Sequence, residues 1–248
     1  MTRTFKALSA LLTYPTADLQ GAVAEISAAL NAEALLSASV RRQLDLLLSD
    51  LAIGDLYDLQ ERYVLLFDRT RSLSLHLFEH VHGESRDRGQ AMVDLKALYE
   101  RHGLSMRTTD LPDHLPLFLE FLSEIAEAEA RELIEKTSHV LEAVRLRLKK
   151  RKVPYSSVFS CVQALAHGKP RTEVLAALMR EADEDPNDLA ALDAAWEEEE
   201  VTFGPAAAGA CGKDGLIAKV RAVQRPAPGV PASKPQRPVI TYSQRPRS

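Results

Sequence analysis

Apolar residues recur along the chain at the three- and four-residue spacing of an α-helix, and the period-two alternation of a strand is almost absent. A first stripe follows Thr16 and consists of Leu19, Val23, Ile26 and Leu30. Stripes with the same spacing cover residues 40–51, 56–66, 92–99, 133–148 and 155–165. The last of these is nearly all apolar, so we expect it to be central. The pattern predicts an all-α protein with a single helical-bundle domain of about ten helices.

Local signals mark where these helices begin and end. The predicted N-caps are Thr16, Asp55 with Asp58 in an approximate capping box, Thr172 and Asp185. Gly103 follows the 92–99 stripe at a position typical of a helix C-terminus. The basic run KKRK ends the long charged helix, where cations favour the negative end of the helix dipole. The final helix is expected to end at Trp196.

Charged residues and prolines are distributed unevenly along the chain. The net charge of the 248 residues is −4, but residues 203–248 hold eight Lys or Arg against Asp214 alone, a net +7. Residues 1–202 therefore carry −11, which argues against nucleic acid as the main ligand and suits a basic partner segment. Seven of the 13 prolines also lie beyond residue 203. We expect a helical domain at 1–202 and a disordered, basic, Pro-rich tail at 203–248.

The cysteine count and the lengths of the apolar segments exclude several classes of protein. Cys161 and Cys211 are too few for a disulfide framework or a zinc site, and Cys161 is expected to be a small buried side chain. Residues 1–15 have a short apolar run without a cleavage site, so they predict a first helix rather than a signal peptide. No apolar stretch is long enough for a membrane span. We expect a cytoplasmic protein without direct membrane insertion.

Two runs concentrate charged residues, histidine and glycine more densely than a helix surface requires: FEHVHGESRDRGQAM at 78–92 and DLPDHLPLFLEF at 110–121. Neither contains an activated nucleophile, a phosphate-binding glycine loop or a CxxC pair. In the first run, Arg88 is expected to face inward or into a groove, either paired with Glu84 or facing a ligand. Gly89 suggests that another helix approaches closely at this position or that a ligand has access to it. The runs predict recognition rather than catalysis.

In the second run, Pro112 and Pro116 hold Asp113 and His114 at a helix entrance. At this helix N-terminus, unpaired backbone N–H groups and these two side chains can face the same ligand. The alternative is that Asp113 simply caps the helix that follows.

Three histidines suggest a different class of site. His76 and His80 are four residues apart and share one helical face, and His82 is a possible third metal ligand. A metal-dependent helical enzyme is therefore one alternative, although no HExxH pattern is present. The other reading of these residues is that each is a hydrogen-bonded structural histidine. No bound cofactor or metal is expected.

The two runs, with LLTYP near the start and AWEEEEVTF at 195–203, closely resemble the respiratory nitrate reductase assembly chaperones of the delta-subunit or NarJ type. That family belongs to the wider TorD/DmsD class of molybdoenzyme maturation chaperones. The resemblance covers residues 8 to 203, and Pro112 to His114 are similar to the Pro-x-Asp-His element of the class. Asp110 is a departure, because the family usually has Glu there. No role is carried over to the tail.

The resemblance implies an all-α cytoplasmic protein that binds the immature nitrate reductase alpha subunit, chiefly through that subunit's N-terminal segment. It implies that the subunit is held open until the molybdenum cofactor and iron–sulfur cluster are inserted, before membrane attachment. Proteins that make the molybdenum cofactor are further candidate partners. A basic amphipathic peptide also suits an acidic helical body physically. A general helical adaptor for other partners remains a third hypothesis.

The resemblance also implies a set of partner-binding residues. The positions are Glu79, His80, His82, Asp87, Arg88, Asp113, His114 and Glu120. Tyr63 and Phe67 are added as candidate partner-binding residues because they lie one turn apart on their helix. Asp87, Asp113 and His114 are expected to present polar or negative groups to the peptide, and Arg88 is expected to order them by pairing. Tyr63 and Phe67 either line an apolar floor or belong to the core.

Overall fold

The computed structural model describes residues 2–82, 86–106, 110–166, 168, 170–180 and 240–242. The chain divides into two compact units, one of Met1–Pro186 with Arg237–Ser248 and one of Asn187–Gln236. All described residues belong to the first unit. The predicted boundary at 202/203, the helix that follows Asp185 and ends at Trp196, and the tail apart from 240–242 lie outside the described residues.

The described residues are overwhelmingly helical, which confirms the all-α prediction. The α-helices are α1 (Arg3–Leu11), α2 (Ala17–Glu33), α3 (Ala38–Arg41), α4 (Asp45–Ile53), α5 (Leu56–Tyr63), α6 (Leu77–His82), α7 (Arg86–Arg101), α8 (Leu115–Glu124), α9 (Glu127–Lys150), α10 (Ser156–Leu165) and α11 (Thr172–Leu178). Short 3₁₀ turns occur at Arg42–Leu44 and Arg71–Leu73, and a π-helical turn extends α5 over Val64–Asp68.

One short strand pair accompanies the helices. Strand β1 (Leu104–Met106) pairs antiparallel with strand β2 (Ile240–Tyr242), with Ser105 opposite Thr241. The sequence analysis did not anticipate this pair, because three residues are too few to show period-two alternation.

The core is built around α1, α8, α9 and α10. Helix α1 packs against α2, α8 and α10, and α9 packs against α8, α10 and α11. The apolar side chains of α1 and α10 that face this centre are fully buried: Phe5, Leu8, Leu11, Val158, Cys161, Val162 and Leu165. The predicted central position of the 155–165 helix is therefore confirmed.

Most of the local end signals act as predicted. The Thr16 side chain accepts a hydrogen bond from the Leu19 N–H, and Asp55 accepts bonds at the start of α5. Gly103 follows α7 with a φ of +77°, a backbone conformation that glycine adopts without steric cost. Thr172 is a correction: it is the first residue of α11, and no side chain caps that helix.

Cys161 is buried, as predicted, and burial raises the pKa of its thiol to about 12. At ordinary pH the sulfur is therefore a protonated, unreactive packing group.

No described helix combines the length and the apolar character that crossing a lipid bilayer would require.

Candidate functional site

A backbone bridge joins the segment before α6 to the segment before α8. His76 and His114 face each other in an isolated antiparallel bridge, and the Leu77 N–H donates to the Asp113 carbonyl at 3.1 Å. Because this bridge connects residues 38 positions apart in sequence, it brings the start of the first charged run against Pro112, Asp113 and His114. The two runs that the sequence singled out therefore meet in one place.

Asp113 is the centre of this junction. Its side chain is completely buried, and its two carboxylate oxygens accept from the Phe78 N–H at 3.0 Å and contact the His76 Nδ1 at 3.2 Å. A buried carboxylate is stable only when such hydrogen bonds replace its water. The structure corrects two expectations, since Asp113 caps α6 rather than α8 and faces protein rather than a visiting peptide. Its role is to position His76 and the start of α6.

His114 occupies the N-cap position of α8, without a side-chain hydrogen bond to that helix. Its ring lies 5.1 Å from that of His76, with 32° between the ring planes. Burial, followed by the neighbouring His76, lowers the pKa of His114 to about 4, although Asp110 and Asp113 act in the opposite direction. Its Nδ1 is buried and has no hydrogen-bond partner among the described residues. His114 is therefore neutral at pH 7 and keeps one unused polar atom.

His76 is the outermost part of the junction, with 31% of its side chain exposed. Asp68, which ends the π-helical turn, lies close enough for His76 to lower its pKa, against a larger increase caused by desolvation. Together, Asp68, His76, Asp110, Asp113 and His114 form a group that we call the histidine–aspartate cluster. Asp68 and Asp110 are the two carboxylates of the cluster that are not buried, and their charge at this part of the surface favours a cationic ligand.

Arg88 has a partner that the sequence analysis did not name. Its guanidinium donates to Glu79 of α6 at 2.9 Å, and both side chains are largely buried. Burial alone would raise the pKa of Glu79, but a hydrogen bond from Ser74 and the charges of Arg88 and His76 lower it. The expected partner, Glu84, lies outside the described residues. Arg88 thus ties α7 to α6 and orders the cluster indirectly, through Glu79.

The three histidines of the metal hypothesis have separate partners. His76 contacts Asp113, the buried His80 bonds through Nε2 to the Ser74 carbonyl at 2.8 Å, and the His82 ring packs against Phe78. Within the described part of the chain, no three His, Cys, Asp or Glu side chains are grouped so that they could hold a metal ion. The geometry gives the metal-dependent alternative no support there, and His80 has a structural role.

The other predicted site residues lie apart from the cluster. Asp87 is exposed in the first turn of α7, and Gly89 is also exposed, with open space where a Cβ would be. Close helix approach therefore does not explain Gly89. Glu120 lies two turns along α8, where burial raises its pKa, Lys6 of α1 opposes the increase and Glu124 adds to it. Contact of Asp87 or Glu120 with a partner stays a prediction.

Tyr63 and Phe67 belong to a group of stacked rings. Tyr63 contacts Tyr14, Phe67 and Tyr155 edge to face, with ring centroids 5.0 to 6.3 Å apart. The Tyr63 hydroxyl donates to the Leu12 carbonyl at 2.9 Å, and burial raises its pKa well above the ordinary value. We call Tyr14, Tyr63, Phe67 and Tyr155 the aromatic cluster. Tyr63 and Phe67 are each 5% exposed, so core packing describes them better than the floor of an open groove.

A surface groove that sequence reasoning missed begins at the edge of the aromatic cluster. We call it the tyrosine groove; it encloses about 420 Å³ and is lined by Tyr14, Tyr57, Asp58, Gln60, Glu61, Val64, Leu65 and Arg69. Tyr57 is 80% exposed, which is unusual for a large aromatic side chain. A signal was present in the sequence, because Tyr57, Glu61 and Val64 recur at helical spacing beside the predicted core stripe.

Two buried side chains support the cluster from beneath, and sequence reasoning had assigned neither to the site. The Tyr99 hydroxyl of α7 donates to the Pro112 carbonyl at 2.7 Å. Arg147 of α9 is 1% exposed and donates to the Ser72 carbonyl at 2.9 Å and the Leu178 carbonyl at 2.7 Å. The sequence signal for Arg147 was its position on the apolar stripe of α9, because side chains on that face of the helix are buried.

Comparisons with known proteins agree with the resemblance. The family model for the nitrate reductase delta subunit matches residues 18–161, a range that includes the whole histidine–aspartate cluster. The nitrate reductase molybdenum cofactor assembly chaperone NarJ of Escherichia coli (strain K12) is 44% identical over 197 residues, covering 79% of this chain and 83% of that protein.

Two further relatives are more distant or shorter matches. The probable chaperone NarW of the same strain is 43% identical over 156 residues, 63% of this chain and 67% of that protein. The probable chaperone NarJ of Bacillus subtilis (strain 168) is 29% identical over 161 residues, 65% of this chain and 86% of that protein. Both names describe nitrate reductase molybdenum cofactor assembly chaperones.

Proposed function

Because the chain belongs to the nitrate reductase delta subunit family, we propose that it is a chaperone in the assembly of a nitrate reductase and its molybdenum cofactor. It is an assembly factor rather than an enzyme, as the names of its relatives indicate. Its client is the immature alpha subunit, and it acts in the cytoplasm before that subunit reaches the membrane.

In finer detail, the chain binds the N-terminal segment of the alpha subunit. It holds the subunit open while the molybdenum cofactor and the iron–sulfur cluster are inserted, and it delays membrane attachment. Proteins of molybdenum cofactor synthesis are further partners of the complex. The chain itself contributes binding surface and no redox or metal chemistry.

The observation that carries this proposal is the acidic histidine–aspartate cluster. Asp68 and Asp110 surround a histidine pair that the buried Asp113 holds in place, and His114 keeps an unpartnered Nδ1. A cationic peptide gains attraction to the carboxylates, and the partly exposed ring of His76 is the histidine surface that it can contact. This combination favours a basic segment with exposed backbone over a nucleic acid or an anionic ligand.

The tyrosine groove supplies apolar surface beside this charge. Asp68 connects the two. Burial and then the charge of Asp68 raise the pKa of Tyr14, which lines the groove, and Asp68 also interacts with His76. Asp58 and Glu61 add acidic groups to the groove itself. An amphipathic peptide can therefore place its apolar face against Tyr57 and Val64 while its basic residues meet carboxylates.

The direct test is calorimetric titration of the chain with a synthetic peptide of the alpha subunit's N-terminal segment. His76→Ala removes the partly exposed histidine of the cluster and leaves the buried Asp113 in place. We expect this variant to lose about 1–3 kcal/mol of binding free energy, roughly 5- to 150-fold in Kd. Affinity should also weaken with rising salt, because part of the attraction is between exposed charges.

His102→Ala is a matched control. His102 is 28% exposed and contacts Glu129 at 3.1 Å, so it resembles His76 in exposure and in having a carboxylate partner, but it lies outside the cluster. Its loss should leave peptide affinity unchanged. Equal affinity of the parent, the His76 variant and the His102 variant would rule out the cluster as the binding site.

A second test follows the alpha subunit in cells. A strain that lacks the chaperone should accumulate alpha subunit with little molybdenum, and the parent chain should restore the molybdenum content. Asp113→Ala with His114→Ala should restore it poorly, and circular dichroism must show that this double variant is folded, since Asp113 is buried. Normal molybdenum loading with the folded double variant would contradict the assigned site.

A further inference from the structure

Within the described residues, one backbone ladder joins the helical domain to the C-terminal tail, and it is the β1–β2 strand pair. β1 opposes β2 in antiparallel register, with Leu104 opposite Tyr242 and Met106 opposite Ile240. The two strands are far apart in sequence, so no hairpin turn holds them together. Among the described residues, pairing with β1 and contacts with α8 keep β2 in place.

Strand β1 is anchored, and its position links it to the proposed site. Leu104 is 2% exposed and belongs to the core, whereas Ser105 is exposed. β1 follows the turn at Gly103 and precedes Asp110 by only a few residues, and β2 lies beside α8. Strand β1 is thus close in sequence to the histidine–aspartate cluster.

A ladder of three residues without a hairpin is weak. Even a complete two-stranded hairpin is marginally stable in water. The pairing of β1 with β2 therefore costs little to open, and another extended backbone can replace β2 at the same edge.

The chemistry of the docked segment is that of the proposed client. Residues 237–248 read RPVITYSQRPRS, with Arg237, Arg245 and Arg247 and no acidic residue. The acidic body that attracts a basic client peptide attracts this segment as well. Prolines at 238 and 246, which have no N–H to donate, bound the strand on both sides.

We propose that the edge of β1 is a docking site for extended basic segments, and that residues 237–248 occupy it in the free protein and compete with the client. The identity of the client rests on the function proposed above; the docking of the tail does not. The tail then raises the affinity that a client needs, since only a segment that binds β1 more tightly than β2 does can displace β2.

Full-length proline variants test the docking itself. In an antiparallel ladder, alternate residues of β2 donate their N–H groups to β1. Thr241→Pro changes the middle residue of β2, and the double variant Ile240→Pro with Tyr242→Pro changes the two outer residues. One of the two variants therefore removes N–H donors of the ladder. Hydrogen exchange measured by mass spectrometry should show faster exchange at 104–106 in at least one of them. Ala232→Pro, which adds a proline to the tail outside the strand, is the control and should not change it. Unchanged exchange in both strand variants would overturn the proposal.

Peptide titrations test the competition. The variant with faster exchange should bind the synthetic alpha-subunit peptide about three- to tenfold more tightly than the parent, and a synthetic peptide of residues 237–248 added in trans should reduce that gain. Faster exchange with unchanged affinity would refute competition. If the alpha-subunit peptide binds no variant while the 237–248 peptide binds the strand variant and restores protection at 104–106, the proposed function fails and the docking site stands.

Discussion

The aromatic cluster and the histidine–aspartate cluster are neighbours in the structure but differ in what their side chains leave available. In the aromatic cluster, rings pack edge to face and Tyr63 and Phe67 are almost wholly buried. In the histidine–aspartate cluster, a buried carboxylate holds a partly exposed histidine, and His114 keeps an unpartnered nitrogen. The first arrangement stabilises the fold, and the second is the surface that we propose for binding.

This difference has a practical consequence for mutation. A change in the aromatic cluster should reduce the free energy of unfolding and leave the affinity of the folded protein nearly intact. A change at the exposed edge of the histidine–aspartate cluster should do the opposite. Asp113 is the intermediate case, because its carboxylate is as buried as the rings and yet determines where His76 lies.

The largest effect is expected for Phe67→Ala. Phe67 contacts both Tyr63 and Tyr155, so truncation leaves a cavity between rings that cannot collapse fully. We expect a loss of about 3–5 kcal/mol in the free energy of unfolding, measured by urea denaturation. Phe67→Leu, which keeps more of the volume, should lose less. A loss below about 1 kcal/mol for the alanine variant would mean that this cluster does not stabilise the fold.

The next effect concerns pH and His114. Because its pKa falls from 6.5 to about 4 on folding, the unfolded chain binds a proton more readily than the folded chain. The stabilisation is present above pH 6.5 and is lost as the pH falls toward 4, by about 3 kcal/mol in all. His114→Gln should flatten this part of the stability profile when denaturation is measured at pH 7 and pH 4.5. A parallel profile in parent and variant would show that another group is responsible.

A smaller stability effect is expected for Asp113→Ala. The substitution leaves the Phe78 N–H without its acceptor at the start of α6, which should cost about 1–3 kcal/mol. Asp113→Asn keeps one acceptor oxygen and should lose less. Both variants should also weaken binding of the alpha-subunit peptide, since His76 loses its positioning partner. Full affinity in a folded alanine variant would show that His76 does not depend on Asp113.

The smallest effect distinguishes two tyrosines of the aromatic cluster. Tyr63→Phe removes the hydroxyl that donates to the Leu12 carbonyl and should cost about 1 kcal/mol. The Tyr155 hydroxyl is buried and has no hydrogen-bond partner among the described residues, so Tyr155→Phe should be neutral or slightly stabilising. Thermal denaturation of the two variants side by side checks this. Equal losses would indicate that ring packing alone governs both positions.

The sequence predicted most of the fold because the relevant signals act within a few residues. The Thr16 cap bonds to Leu19 three residues later, and Gly103 ends α7 through its own backbone conformation. The apolar stripe at 155–165 likewise predicted burial correctly, since every third or fourth residue of a helix shares one face. Thr172 shows the limit, because its position relative to α11 differs by one residue from the predicted cap.

The candidate site was predicted as a set of residues but not as an arrangement. The prominent charges of 78–92 and 110–121 singled out two segments, and the bridge between His76 and His114 joins these segments in the structure. Arg88 pairs with Glu79 on another helix, a partner that the sequence analysis did not name. The tyrosine groove was missed because a groove is formed by the surfaces of several elements, none of which shows it alone.

The sequence by itself determined the helices, their ends, the buried stripes and the family, because each of these depends on residues within a turn or on motifs read directly. Tertiary structure alone decided that Asp113 caps α6, that Arg147 donates to the turn at Ser72, and that β1 receives a strand from the tail. A buried charge or an open backbone donor accepts whichever partner the fold brings within about 3 Å. Local spacing contains no information about that partner, so only the packed chain could specify it.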